Sequence, residues 1–108
     1  MKTIVAIAAV LALGGTALAH AADEPAAEAL MKKSKCFTCH SVDKKKDGPS
    51  YKEVAAKYKG KPDAEQKLYT HLTTHPTIKV DGKEEKHESL KTTDDKEIKN
   101  VIAWVLSR

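Results

Sequence analysis

Cys36, Phe37, Thr38, Cys39 and His40 set two thiols three positions apart and an imidazole immediately after the second. Side chains of these types at this spacing suit three chemistries. A dithiol pair exchanges with a disulfide, but such a pair wants a βαβ setting, and no such pattern surrounds it. Two thiolates and an imidazole bind zinc, but a closed zinc site wants four ligands, and the chain has only these two cysteines. The third chemistry is covalent attachment of haem. Two thiols near a helix end add to the two vinyl groups on one edge of the porphyrin, and the next residue, His40, reaches the iron from below. A chance occurrence of the pattern is the remaining alternative, and the context favours haem.

That context begins at the N-terminus. Lys2 is followed by an uninterrupted apolar run from Ile4 to Leu13, then Gly14-Gly15-Thr16, then small residues with an Ala-x-Ala pattern at Ala17/Ala19 and Ala19/Ala21. This is the order of a secretory signal peptide. We expect residues 1–21 to be that segment, with cleavage between residues 19 and 22 and His20 leaving with it or sitting at a frayed end. Residues 22–108 then form one domain. The apolar run is shorter than the roughly 20 residues a bilayer demands. A domain this small usually needs a staple, and a disulfide between Cys36 and Cys39 would close too tight a loop to restrict the unfolded chain much. A haem, a large apolar body, would supply the missing core.

The elements that must position the motif read as four short helices. The first is expected from about Pro25 to His40, with Ala26, Leu30 and Ser34 on one face. The second follows Gly48-Pro49: Ser50 and Glu53 have capping-box spacing, and Tyr51, Val54, Ala55 and Tyr58 form an apolar stripe ended by Gly60. The third begins near Pro62-Asp63 and carries Ala64, Leu68 and Leu72. The fourth begins near Thr93-Asp94, with Ile98, Val101, Ile102, Val105 and Leu106 as its core stripe and Trp104 on the flank. Between the last two lies a polar stretch from Thr74 to Lys91. There Asp81-Gly82 is a turn signal, and Thr77 to Val80 could pair briefly as a strand. A loop this long in so small a domain is usually functional.

Cys36-x-x-Cys39-His40, then Asp47-Gly48-Pro49-Ser50-Tyr51, then Ala103-Trp104-Val105-Leu106-Ser107, in that order, resemble the small bacterial class I cytochromes c over nearly the whole mature chain. The resemblance implies an all-α class I cytochrome c fold wrapped around one haem, with the first and last helices crossing, in a monomer. It implies that the Pro49 carbonyl accepts the Nδ1 proton of His40, which would fix the imidazole tautomer.

One feature departs from the family. Its usual members place a methionine on the other face of the iron, and this chain's only methionines are Met1 and Met31. Met31 precedes the attachment site on the same helix and is expected to pack between the first and last helices. His87, in the polar loop where the family's methionine lies, is the first choice as the distal ligand. His75, at the end of the third helix, is a rival, and an open iron is another. His71 reads as a surface residue or a neighbour of a haem propionate. Replacing methionine by histidine lowers the reduction potential.

The chain carries a formal charge of +4, with lysines at 32, 33, 35 and 44–46 flanking the motif. They read either as a solvated face or as a docking surface for an acidic partner. The sparse aromatic residues are not interleaved with the basic ones, which argues against nucleic acid. No paired carboxylates suggest catalysis. The leading expectation is a periplasmic electron shuttle, exchanging single electrons with periplasmic or membrane-bound redox proteins. The alternative is a haem protein whose distal site is open or labile and takes small gases.

Overall fold

The computed structural model describes residues 21–108, so the expected export segment lies outside the described residues except for Ala21. The described chain is mainly helical: α1 (Glu24–Lys33), α2 (Cys36–Cys39), α3 (Tyr51–Tyr58), α4 (Ala64–Thr73), β1 (Thr77–Val80), β2 (Lys83–Lys86) and α5 (Asp95–Leu106).

Three of the helices, α1, α3 and α5, start where a side chain supplies a cap. Asp23 accepts from the Ala26 amide, Ser50 from Glu53, and Asp94 from Lys96 and Glu97, satisfying donors the first turn leaves free. The expected first helix is broken in two. Ser34 ends α1, and Lys35 takes the left-handed conformation (φ 62°) before α2 begins. Nothing in the local pattern asks for that break, because neither residue is glycine. Its cause is tertiary: the Ser34 side chain is buried and accepts the Lys91 amide at 2.9 Å. The turn that results restarts the chain so that Cys36 and Cys39 sit on a short helix of their own.

α5 is the spine, with α1, α3 and α4 all packing on it. The core gathers Ala27 and Met31 of α1, Tyr51 of α3, Leu68 of α4, Leu90, and Ile98, Val101, Ile102, Trp104 and Val105 of α5. Met31 is buried there, as expected. Trp104 is also buried, at 1 % exposure, which corrects its expected place on the flank. A helix contacted from three directions buries more than one stripe, and Trp104 faces the second. The crossing of α1 and α5 is fastened at its open end. The Asp23 amide donates to Asn100 Oδ1 at 2.8 Å, Asn100 Nδ2 donates to the Asp23 carbonyl at 2.9 Å, and Arg108 pairs with Glu24.

The polar stretch after α4 is a hairpin. β1 and β2 run antiparallel in the register Thr77↔Lys86, Ile78↔Glu85, Lys79↔Glu84 and Val80↔Lys83. Asp81 (φ 51°) and Gly82 (φ 77°) form its two-residue turn, the positive-φ pair whose twist matches that of the strands it joins.

Candidate functional site

His40 is held on every side the sequence can reach. Its amide donates to the Cys36 carbonyl as it leaves α2. Its Nδ1 stands 2.7 Å from the Pro49 carbonyl, so Nδ1 carries the proton and Nε2 is left with a free lone pair. The Tyr51 ring stacks on it at 5.0 Å between centroids and 28° between planes. Gly48 closes the other side: a Cβ placed there would come within 2.5 Å of His40 Cε1 and 2.8 Å of Nδ1. Only glycine allows that approach, and the Gly48 amide in turn donates to the Cys39 carbonyl at 2.8 Å. The stack continues inward, with Tyr51 edge-on to Trp104 at 5.2 Å and Phe37 edge-on to both.

Cys36 and Cys39 are free and half-buried. Burial pushes the Cys36 thiol up to about 11, with smaller opposing contributions from hydrogen bonds to its own backbone and to Tyr51. A nucleophilic redox thiol is lowered instead. Cys36 therefore lacks the lowered pKa of a thiol poised for disulfide exchange. Among the described residues no cluster of three or more histidine, cysteine, aspartate or glutamate side chains is arranged to hold a metal ion by itself.

His87 comes from the other side of the molecule. Its amide donates to the Pro76 carbonyl at 2.8 Å, so it stands at the foot of the hairpin. The chain beyond it is stitched down twice more, Leu90 to the Leu72 carbonyl and Lys91 to the Ser34 hydroxyl. The fold thus brings together the two histidines that the sequence placed 47 positions apart. Their ring centroids are 6.2 Å apart. A metal–imidazole bond of about 2 Å, plus about 1.1 Å from nitrogen to ring centre, sets two imidazoles on opposite sides of one metal about 6 Å apart. His87 Nδ1 is buried without a partner, as is Trp104 Nε1. Burial, with the neighbouring His71 and His40 adding to it, holds His87 down to about 4, so at neutral pH it is the uncharged imidazole that iron binds. The residues present fit an iron porphyrin held between His40 and His87.

The structure does not bring His75 into this arrangement. It is exposed, with φ 49°, at the turn into the hairpin. It does bring His71, whose ring lies 4.1 Å from that of His87. The spacing carried a signal: position 71 is three residues beyond Leu68, on the inward side of α4. Gly48 was legible only as part of a motif, and its contact with the His40 ring became visible in three dimensions.

The lysines before and after the motif are exposed. Lys46 has a local task, since its Nζ donates to the Phe37 carbonyl at 3.0 Å and ties the following loop to α2.

Comparison with known proteins bears on the family and the fold. The family model Cytochrome c matches residues 25–108. Cytochrome c-551 of Pseudomonas aeruginosa is 46% identical over 54 residues, half of this chain and 52% of that protein. Cytochrome c-551 of Stutzerimonas stutzeri is 47% identical over 62 residues, 57% of this chain and 60% of that one. The chain thus spans little more than half the length of these curated relatives. The crystal structure of the class 1 cytochrome MtoD from Sideroxydans lithotrophicus ES-1 superposes with a TM-score of 0.77 at 49% identity, covering 81% of this chain and 97% of that one. Wild-type cytochrome c552 of Nitrosomonas europaea superposes at 0.58 with 29% identity, covering 74% and 96%.

Proposed function

The chain belongs to the cytochrome c family, whose haem c is bound covalently through two cysteines, and on that premise we propose that it is a periplasmic monohaem electron carrier with His40 and His87 as axial ligands. Cys36 and Cys39 are the two cysteines the chain has. The bound haem supplies the one-electron chemistry, and the protein's part is to position it, shield it and tune it.

The observation that carries the ligand assignment is the 6.2 Å separation of the two imidazoles. The His40 carbonyl partner supports it from one side. His87, neutral and fixed at the foot of the hairpin, supports it from the other. Two histidine ligands keep the iron six-coordinate in both oxidation states, so an electron enters or leaves with little rearrangement. They also place the potential below that of a methionine-ligated relative.

Partners fit the same picture. Lys32, Lys33 and Lys35 lie on the approach to Cys36, and Lys44 and Lys45 on the loop after His40, all exposed. They flank the attachment motif in sequence, and an acidic redox protein would be steered toward them. The expected result is an electron-exchange rate that falls with ionic strength. Export by residues 1–21 would place the carrier in the periplasm, where covalent haem attachment and an exchange of electrons with membrane oxidoreductases are both workable.

The deciding experiment is a potentiometric titration of the holoprotein and of His87→Met. If His87 occupies the sixth position, the methionine variant gains an iron–sulfur charge-transfer band and its midpoint rises well above that of the parent. An unchanged midpoint and spectrum would remove His87 from the iron. Ferrous wild-type protein that takes up carbon monoxide readily would move the reading to a gas-binding haem protein.

A further inference from the structure

His71 has no part in the arrangement so far, yet it is the nearest imidazole to the distal position. Its ring centroid is 4.1 Å from that of His87, with 50° between the planes. It is half-buried in the last turn of α4. The helix beneath it is anchored by the buried Ala64 and Leu68, and its end is tightened by hydroxyl bonds from Thr73 to the Tyr69 carbonyl and from Thr74 to the Thr70 carbonyl, both at 2.7 Å. His71 is therefore held beside the distal ligand on a different element from the segment after β2 that carries His87.

We propose that His71 is a reserve axial ligand: when His87 leaves the iron, the His71 imidazole takes the sixth position. This rests on the reading of His87 as the resident ligand. Departure of the His87 ring leaves a space the size of an imidazole, bounded by His71, and an unfilled buried space is costly. A turn of the His71 side chain through about one ring width fills it and restores the iron–nitrogen bond. His75 and the exposed lysines lack this placement: His75 faces solvent beyond the helix end, and a lysine would have to lose its proton first. The consequence is an iron that stays six-coordinate, and closed to small gases, when the hairpin opens.

The test uses holoprotein variants and carbon monoxide as the probe. His87→Ala is expected to remain low-spin. His87→Ala/His71→Ala is expected to become five-coordinate when ferrous and to bind carbon monoxide about tenfold or more tightly than the single variant, because a competing ligand that leaves only a tenth of the iron accessible weakens apparent affinity by that factor. His87→Ala/His75→Ala should behave as the single variant does. Added imidazole should return the His87→Ala/His71→Ala protein to low spin, which shows that its pocket is intact. A His87→Ala protein that is already five-coordinate, with the affinity of the double variant, overturns the proposal without need of a second substitution. Loss of the low-spin state only on removing His75 overturns it as well. If His71→Ala alone opens the iron while His87→Met leaves the potential unmoved, His71 is the resident ligand and the His87 reading fails too. A raised potential in His87→Met keeps that reading whichever way the His71 variants fall.

Discussion

The two faces of the site are built by opposite means. On the His40 face the ring is enclosed by Gly48 and Tyr51, its Nδ1 bonds a main-chain carbonyl at 2.7 Å, and behind Tyr51 stands Trp104 in the crossing of α1, α3 and α5. On the His87 face one imidazole sits at the foot of a hairpin whose second strand is exposed throughout, with its Nδ1 lacking a partner. The position of His40 is determined by the global core, that of His87 by a loop closed on itself, two main-chain bonds and the bond from the Lys91 amide to the Ser34 hydroxyl. A ligand of the second kind can be exchanged in evolution without rebuilding the domain. If His87 is the sixth ligand, as proposed above, that softer setting is where a histidine would stand in place of the methionine of the family's usual members.

The comparison breaks first if the His40 face turns out to be soft. Trp104 is 1 % exposed and meets both Tyr51 and Phe37 edge-on. Trp104→Ala is expected to lower global stability by about 3–5 kcal/mol, as large aromatic truncations in cores do. Denaturant unfolding of the holoprotein, followed by far-ultraviolet circular dichroism, measures it. A loss below about 1 kcal/mol would mean that the stack behind His40 is not what holds that face.

Gly48→Ala is the next test, and a more local one. The added Cβ falls 2.5 Å from His40 Cε1, and the His40 ring, tied to Pro49 and stacked on Tyr51, has little room to retreat. Overpacking of this kind costs about 1–3 kcal/mol, and here it should also tilt the ring and lengthen the Pro49 bond. The variant is expected to be less stable and to show altered hyperfine-shifted resonances from the His40 ring in the paramagnetic proton spectrum. Wild-type resonances would show that the pocket accommodates a methyl group and that glycine there serves only the loop.

How much of this was legible beforehand follows the same division. Cys36, Cys39 and His40 were legible because covalent chemistry fixes both type and spacing. The helices after Ser50, Asp63 and Asp94 were legible because caps and apolar stripes are local signals, and Asp81-Gly82 announced its turn. The break at Ser34–Lys35 was not, because its cause is a hydrogen bond to Lys91, 57 positions away. β2 was not, because Lys83-Glu84-Glu85-Lys86 has no alternation of apolar and polar residues. It is a strand only because the turn delivers it to β1, where Lys79 faces Glu84 and Ile78 faces Glu85. His71 read as a surface residue or a neighbour of a haem propionate, and its contact with His87 was not legible because it depends on where the hairpin returns.

The smallest expected effect tests the other half of the comparison. Gly82 adopts φ 77° in the hairpin turn, with open space around its Cα. Gly82→Ala therefore meets no clash, and its cost is the backbone penalty for an L-residue in the left-handed region, about 1 kcal/mol. If the hairpin opens as a unit separate from the core, that penalty acts on the local opening equilibrium and raises its population about fivefold, while global unfolding changes by no more than the same small amount. Amide exchange across Thr77–Lys86 should then accelerate by that factor, and in parent and variant alike the amides of α5 that exchange through global unfolding should stay more protected than those of the hairpin. If His71 replaces His87 on opening, the spectrum stays low-spin throughout, and the faster opening shows only in exchange. Equal protection of the hairpin and α5 amides would instead mean that the two faces open together, and that the segment carrying His87 is fastened to the core as firmly as His40.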